Sequence, residues 1–201
     1  MLNSYKEFKD YLNNLEDKPT LLLHVCCAPC SSHTLKLLVP YFKITVYFSN
    51  DNIYPHGEFI NRFNELKRFI VEANLDVDVV IDDYDYDRFL NAINGKENLG
   101  ERSIRCYECY KMRLTRSVIY AKNNNLDYFT TSLSISPHKV TKWINEIGYN
   151  LEEEYGIKYL YSDFKKESGY QNSIQLSKEF SLYRQDYCGC LFSKKEKDDL
   201  K

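Results

Sequence analysis

TLLLHVCCAPCSSHTLKLLVPYFKITVYFS (20–49) reads as strand, helix, strand. Residues 20–26 are a short apolar run after Pro19, the pattern of a buried strand. Pro29, Ser31 and Ser32 open an apolar helix that runs to Leu38 and stops at Pro40. Residues 43–49, rich in β-branched and aromatic side chains, form the second strand. Two buried strands joined through a helix require a crossover connection, and such strands run parallel.

The alternation continues along the chain. Phe59, Phe63, Leu66 and Ile70 recur at helical spacing over 56–73, and 77–81 is a third strand. A short helix at 86–93 and a polar stretch at 94–105 precede a long helix over 106–124. Then come a strand at 127–133, a helix at 138–155, a fifth strand at 157–161 and a helix near 171–182. The expected fold class is α/β: an open, mainly parallel five-stranded sheet with helices on both faces, Rossmann-like or HUP-like. All 201 residues are expected in a single α/β domain, with 1–19 as an N-terminal helical extension and 194–201 as a frayed, charged tail.

Composition narrows the function classes. Hydrophobic residues make up 43%, enough for one buried core, which excludes a wholly disordered chain. With 27 Lys+Arg against 29 Asp+Glu the net charge is −2, so bulk charge does not drive nucleic-acid binding and any such surface must be a local patch. Apolar runs such as Leu21-Leu22-Leu23 are too short for a bilayer, and Lys6, Glu7, Lys9 and Asp10 leave no apolar leader at the N-terminus. The expectation is a cytoplasmic protein with no membrane partner. The chain has no glycine-rich phosphate loop ending in Lys-Ser/Thr, which argues against ATP chemistry of that kind.

The seven cysteines fall into three tight groups: 26, 27 and 30; 106 and 109; 188 and 190. An odd number without a secretion signal argues against a disulfide framework. Cys26-Cys27-x-x-Cys30 with Cys106-x-x-Cys109 supplies four or five thiolates from two segments, the ligand type that zinc and iron–sulfur clusters take. Adjacent side chains should diverge, which suits the separated corners of a cluster better than a single zinc ion; zinc and inert thiols remain the alternatives. Cys188-Gly189-Cys190 can close only a small, strained and readily reduced ring, the property of a catalytic pair. The same two thiols could instead hold metal. Cys30 has no assignment beyond a helix N-terminus, where a thiol pKa falls.

Other candidates lie beside these. Ser136-Pro137-His138-Lys139 is expected to open a helix whose free N–H groups, with His138 and Lys139, hold a phosphate or position an acid. His24 reads as a hydrogen-bonded core residue. Asp51 follows the second strand and is a candidate proton donor or metal ligand, or else a cap. Arg102, Arg105, Lys111, Arg113 and Arg116, interleaved with Tyr107 and Tyr110, form the most basic stretch and a candidate nucleotide-binding patch, or a solvated helix face. Asp82, Asp83, Asp85 and Asp87 read as a loop and helix cap.

The segments HVCCAPCS (24–31), GER (100–102), CYECYKMRL (106–114), TTSLSISPHK (130–139) and GYQNSIQLSKEFSLYRQDYCGCLFS (169–193), in this order, resemble the epoxyqueuosine reductase QueH family. The resemblance implies an oxidoreductase that completes queuosine synthesis without cobalamin, reducing the epoxide of epoxyqueuosine at the anticodon wobble position of tRNA. It also implies a [4Fe-4S] cluster on Cys26, Cys27, Cys106 and Cys109, an additional adjacent iron to which Cys30 or Asp51 could contribute, and a redox-active pair, Cys188 and Cys190. Substrate contacts would come from Arg102, Arg105, Tyr107, Arg113 and Lys139, and protons from Asp51, His138 or a tyrosine. The electron donor is unidentified. The run Ser103-Ile104-Arg105 before Cys106 departs from the family pattern and leaves the contacts of the basic loop open. Rival functions are a non-catalytic zinc or iron–sulfur module that docks RNA, and a related α/β tRNA enzyme that uses ATP.

Overall fold

The computed structural model describes residues 2–199. A first helix, α1 (Tyr5–Asn13), is capped by Ser4 and buries Phe8 and Leu12. The opening unit follows as β1 (Thr20–His24), α2 (Ala28–Leu38) and β2 (Lys43–Phe48). Then come α3 (His56–Glu72), β3 (Asp78–Ile81), α4 (Tyr86–Ala92), α5 (Ile104–Asn123) and β4 (Tyr128–Thr131). The chain closes with α6 (Thr141–Tyr155), β5 (Lys158–Tyr159), α7 (Gly169–Glu179) and α8 (Leu191–Asp198). Gly156 ends α6 in the left-handed conformation that a glycine adopts without steric cost.

The sheet order is β3-β2-β1-β4-β5 and every neighbouring pair is parallel. Pleating sorts each strand between two cores. Leu21, Leu23, Ile44, Val46 and Phe48 face a layer built with α1, α2 and α3, whereas Leu22, Tyr47 and Phe129 face Leu114, Val118, Ile144 and Ile147 of α5 and α6. Strands added after β1 grow in one direction and those after β3 in the other, so the order reverses between β1 and β4. Their carboxyl ends flank the crevice where open α/β sheets place ligands.

β5 is only two residues long and α5 starts two residues early, and three further departures from the sequence expectation stand out. β4 stops at Thr131, and Ser132–Ile135 form a 3-10 helix instead of further strand. α6 begins at Thr141, so Ser136–Lys139 is a loop. The expected frayed tail is mostly the ordered α8, with residues 200 and 201 lying outside the described region. Its anchor is Arg105, which pairs with Glu196 at 2.7 Å and lies over the Phe192 ring.

Asp127 ties the starts of β1 and β4 together. Its carboxylate accepts from the backbone N (2.9 Å) and Oγ1 (2.7 Å) of Thr20, whose Oγ1 in turn accepts from the Asp127 N–H. These bonds hold the carboxyl below its ordinary value. The stabilisation is therefore complete above about pH 4 and is lost as pH falls through the lowered folded value. Asp127→Ala should cost about 1 kcal/mol in urea unfolding at pH 7. The difference should shrink in acid; an equal loss at both pH values would contradict this account.

Candidate active site

The elbow between β1 and α2 carries the first three thiols. Cys27 leaves the strand with extended backbone and caps α2, its Sγ accepting from the Cys30 N–H at 3.4 Å. The Cys26 and Cys27 sulfurs lie 3.8 Å apart, and those of Cys26, Cys27 and Cys30 are all within 4.8 Å of one another. Adjacent Cys26 and Cys27 therefore converge, because the pleat that would separate them ends at His24. Sulfur–sulfur hydrogen bonding holds Cys26 well below the ordinary thiol range and Cys30 well above it. Burial pushes Cys27 up to about 12. The lowered pKa expected at Cys30 is thus found at Cys26, which carries the first negative charge of the trio.

Of the other cysteines, Cys106, Cys109 and Cys190 fall in two core clusters. Cys106 packs into the core cluster of Cys26 and Cys27 from the first turn of α5. Cys109, one turn on, lies with Cys190 beside Phe89 and Ile93 of α4 and its C-cap, and burial raises it to about 12. The 188–190 turn is pinned to α3 and its preceding loop: Arg62 Nη1 donates to the Cys188 carbonyl at 3.3 Å, and the Tyr54 N–H to the Gly189 carbonyl at 2.8 Å. Cys190 Sγ caps α8, accepting from the Ser193 N–H.

Three cations serve these sulfurs. Lys139 Nζ donates to Cys188 Sγ at 2.6 Å; burial alone would lower this ammonium's pKa, but the Cys188 sulfur more than offsets that and raises it. Arg62, 1% exposed, pairs with Glu58 at 2.7 Å and lies over the Tyr187 ring. Arg113, 2% exposed, donates to Asn50 Oδ1 at 2.5 Å and has its Nε 3.3 Å from His24 Nε2, facing Cys109, Cys26 and Cys188. His24 is held neutral, its pKa lowered to about 3 by burial and by Arg113. It bonds Thr131 Oγ1 and the Ser49 carbonyl, as expected of a core histidine.

A cavity of about 290 Å³ opens onto Cys26, Cys30 and Cys188, with His138, Lys139 and Arg184 among its lining. Thiols from two remote segments thus line one cavity at the β1/β4 switch point, a space the size of a small ligand site, with Cys106 packed in the core cluster of Cys26 and Cys27.

Comparison with known proteins identifies the family. The family model described as epoxyqueuosine reductase QueH matches residues 21–196. An epoxyqueuosine reductase QueH of Streptococcus pyogenes is 39% identical over 182 residues, 89% of this chain and 71% of the relative. One from Staphylococcus aureus is 37% identical over 182 residues, 88% and 76% of the two chains. One from Thermotoga maritima is 35% identical over 180 residues, 87% and 90% of the two chains.

The chain belongs to the QueH family.

Membership makes it an oxidoreductase, and the trio of thiols is a site suited to metal. The trio's sulfurs are soft, converging donors faced by the buried guanidinium of Arg113, the ligand type that zinc and iron–sulfur groups both take. Several residues expected at the substrate sit elsewhere. Arg105 and Arg113 are buried and committed to α8 and to the sulfur site, and Arg116 bonds Asp82 and Asp83, so the basic stretch forms no continuous patch. Arg102 is exposed, and Tyr107 bonds Glu146 and meets the edge of Trp143. The Ser136–Lys139 loop spends its N–H groups internally, from Ser136 to the Leu133 carbonyl, His138 to Ser136 Oγ and Lys139 to the Ser136 carbonyl, so it offers no phosphate nest. Asp51 does not line the cavity; its carboxylate takes Arg88 at 2.8 Å and the Asp85 N–H at 3.0 Å. The acidic run is the expected cap: Asp85 accepts from the N–H groups of Asp87 and Arg88 at the start of α4.

Two QueH site residues escaped the sequence reading. Gln185 lines the cavity and donates from Nε2 to Cys27 Sγ at 3.1 Å. Its nearness to the Cys-Gly-Cys turn was the available signal. Arg62 left a subtler one, a cation one turn from Phe59 and from Leu66 on the apolar stripe of α3.

Proposed function

We propose that this chain is an epoxyqueuosine reductase that acts on tRNA, opening the epoxide at the anticodon wobble nucleoside to the cyclopentene diol of queuosine. The observation that carries the reading is the converging trio Cys26, Cys27 and Cys30 at a cavity that Cys188 of the Cys-Gly-Cys turn also lines, in a member of this family. Cys26, Cys27, Cys106 and Cys109 hold a [4Fe-4S] cluster in this reading, and Cys30 is the further thiol at hand for an adjacent iron. Bound there, the iron–sulfur group supplies one-electron transfer and Lewis acidity toward the departing oxygen.

The chain's own residues complete the chemistry. Reduction of the epoxide takes two electrons and two protons and yields an alkene and water. Oxidation of the Cys188–Cys190 dithiol to a disulfide releases two electrons and two protons, which balances the reaction, and an external reductant then restores the dithiol. Lys139 donates to Cys188 Sγ, and in this reading Lys139 and His138, which both line the cavity, move a proton toward the leaving oxygen. Cavity-lining Arg184 and the exposed Arg102 are the cations proposed for tRNA phosphates, replacing the dispersed 102–116 stretch. Among the described residues no helix is long and apolar enough to cross a membrane. In this reading the reaction takes place in the cytoplasm, where its tRNA substrate is.

The test is tRNA from a deletion strain without a second epoxyqueuosine reductase, analysed by mass spectrometry. Epoxyqueuosine should accumulate, and wild type but not Cys106→Ala should restore queuosine. Normal queuosine in the deletion strain would contradict the reading. One zinc and no iron per purified chain would favour a zinc module instead.

A further inference from the structure

We propose that Arg113 is the fixed counter-charge of the sulfur site, a positioning residue that acts through Cys109 and sets the ease with which the site accepts an electron. The proposal rests on the iron–sulfur reading above and goes beyond it, since it concerns what the chain builds beneath the ligands. Arg113 is 2% exposed, and among the described residues no carboxylate pairs with it. Guanidinium stays protonated in proteins, so this charge is buried permanently. A buried cation requires an anion, and a lone one is strongly destabilising.

Its close partners do not supply that anion. Asn50 Oδ1 is a neutral acceptor, and Asn50 is itself fixed by donating to the Val25 carbonyl at 2.8 Å. His24 Nε2 lies 3.3 Å from Arg113 Nε and 3.1 Å from the Ser49 carbonyl, and a neutral imidazole supplies no anion. What remains is sulfur: Arg113 stands one turn beyond Cys109, with Cys26 and Cys188 also facing it. The neighbouring cations are already paired, Arg62 with Glu58 and Lys139 with Cys188. Arg113 is thus the cation whose charge is matched only when the site carries net negative charge, as thiolates or as a thiolate-bound cluster. A fixed positive charge in a dry site favours the more negative, reduced state.

The test uses the full chain loaded anaerobically with ferrous iron and sulfide, with iron and sulfide content and midpoint potential as readouts. Arg113→Gln removes the charge and retains a polar side chain. It should lower the midpoint by at least about 59 mV, a tenfold change in the one-electron equilibrium. Arg113→Lys, which keeps the charge, should move it by less than half as much. Asn50→Asp, neutralising Arg113 in place, should shift the midpoint in the same direction as Arg113→Gln, and it decides the matter if Arg113→Gln fails to fold. A folded Arg113→Gln that cannot be loaded, beside an Arg113→Lys that can, also supports the proposal. A loaded Arg113→Gln or Asn50→Asp at the wild-type midpoint overturns it and leaves the functional reading intact. A wild-type chain that takes up no iron overturns the functional reading, and the proposal with it.

Discussion

Cys188→Ala and Cys190→Ala should each lower conversion of epoxyqueuosine in tRNA by at least about a thousandfold, the order expected when a reacting residue is removed. Both variants should keep wild-type iron content. Cys26→Ala and Cys106→Ala should lose activity and iron together. The dissociation follows from where the thiols sit. Cys26 belongs to the trio with Cys27 and Cys30, and Cys106 packs into the same core cluster. Cys188 and Cys190 instead stand on a separate turn pinned to α3, with Cys188 on Lys139. Iron lost from Cys188→Ala would show that this turn holds metal; full activity in that variant would show that the dithiol supplies no electrons.

The second large effect is expected at Gly189, between those two cysteines. Its φ is +133°, a conformation that L side chains rarely adopt. A Cβ there would also stand 3.2 Å from Arg62 Nη1 and 3.3 Å from both Asn52 Nδ2 and Ile53 Cγ1. Gly189→Ala should therefore cost about 1–3 kcal/mol of backbone strain. Relief should come by displacing the turn from Arg62 and Tyr54, whose hydrogen bonds pin it. Activity should fall at least about tenfold, since a misplaced reacting group forfeits much of its orientation advantage. Alkylation should report the movement: Cys190, 7% exposed in the wild type, should label faster in the variant. Unchanged labelling and unchanged turnover would contradict this role for the turn.

The fold was legible because its strands announce themselves locally. Leu21-Leu22-Leu23 is apolar on both faces of the pleat, and the structure uses both, with Leu22 in one core and its neighbours in the other. Likewise, the clustering of cysteines pointed to one site before any geometry was known, although it could not show that the Cys26 and Cys27 sulfurs would meet. That depends on where β1 ends, a matter of two residues. The cations were misread for a different reason. Arg105, Arg113 and Arg116 are close in sequence, but helical geometry directs them to α8, to the sulfur site and to the Asp82–Asp83 loop. A basic run on a helix is not a basic surface until each side chain's partner is known. Arg62 and Arg113 share the signal that would have found them, a cation on the buried face of an amphipathic helix.

The most direct test of the account supplies purified protein, loaded anaerobically with iron and sulfide, with tRNA carrying epoxyqueuosine and a chemical reductant, and follows the nucleoside by mass spectrometry. The account predicts loss of one oxygen atom from epoxyqueuosine to give queuosine, with no cobalamin added and no conversion by Cys106→Ala. Unchanged epoxyqueuosine in the presence of fully loaded wild-type protein would contradict it.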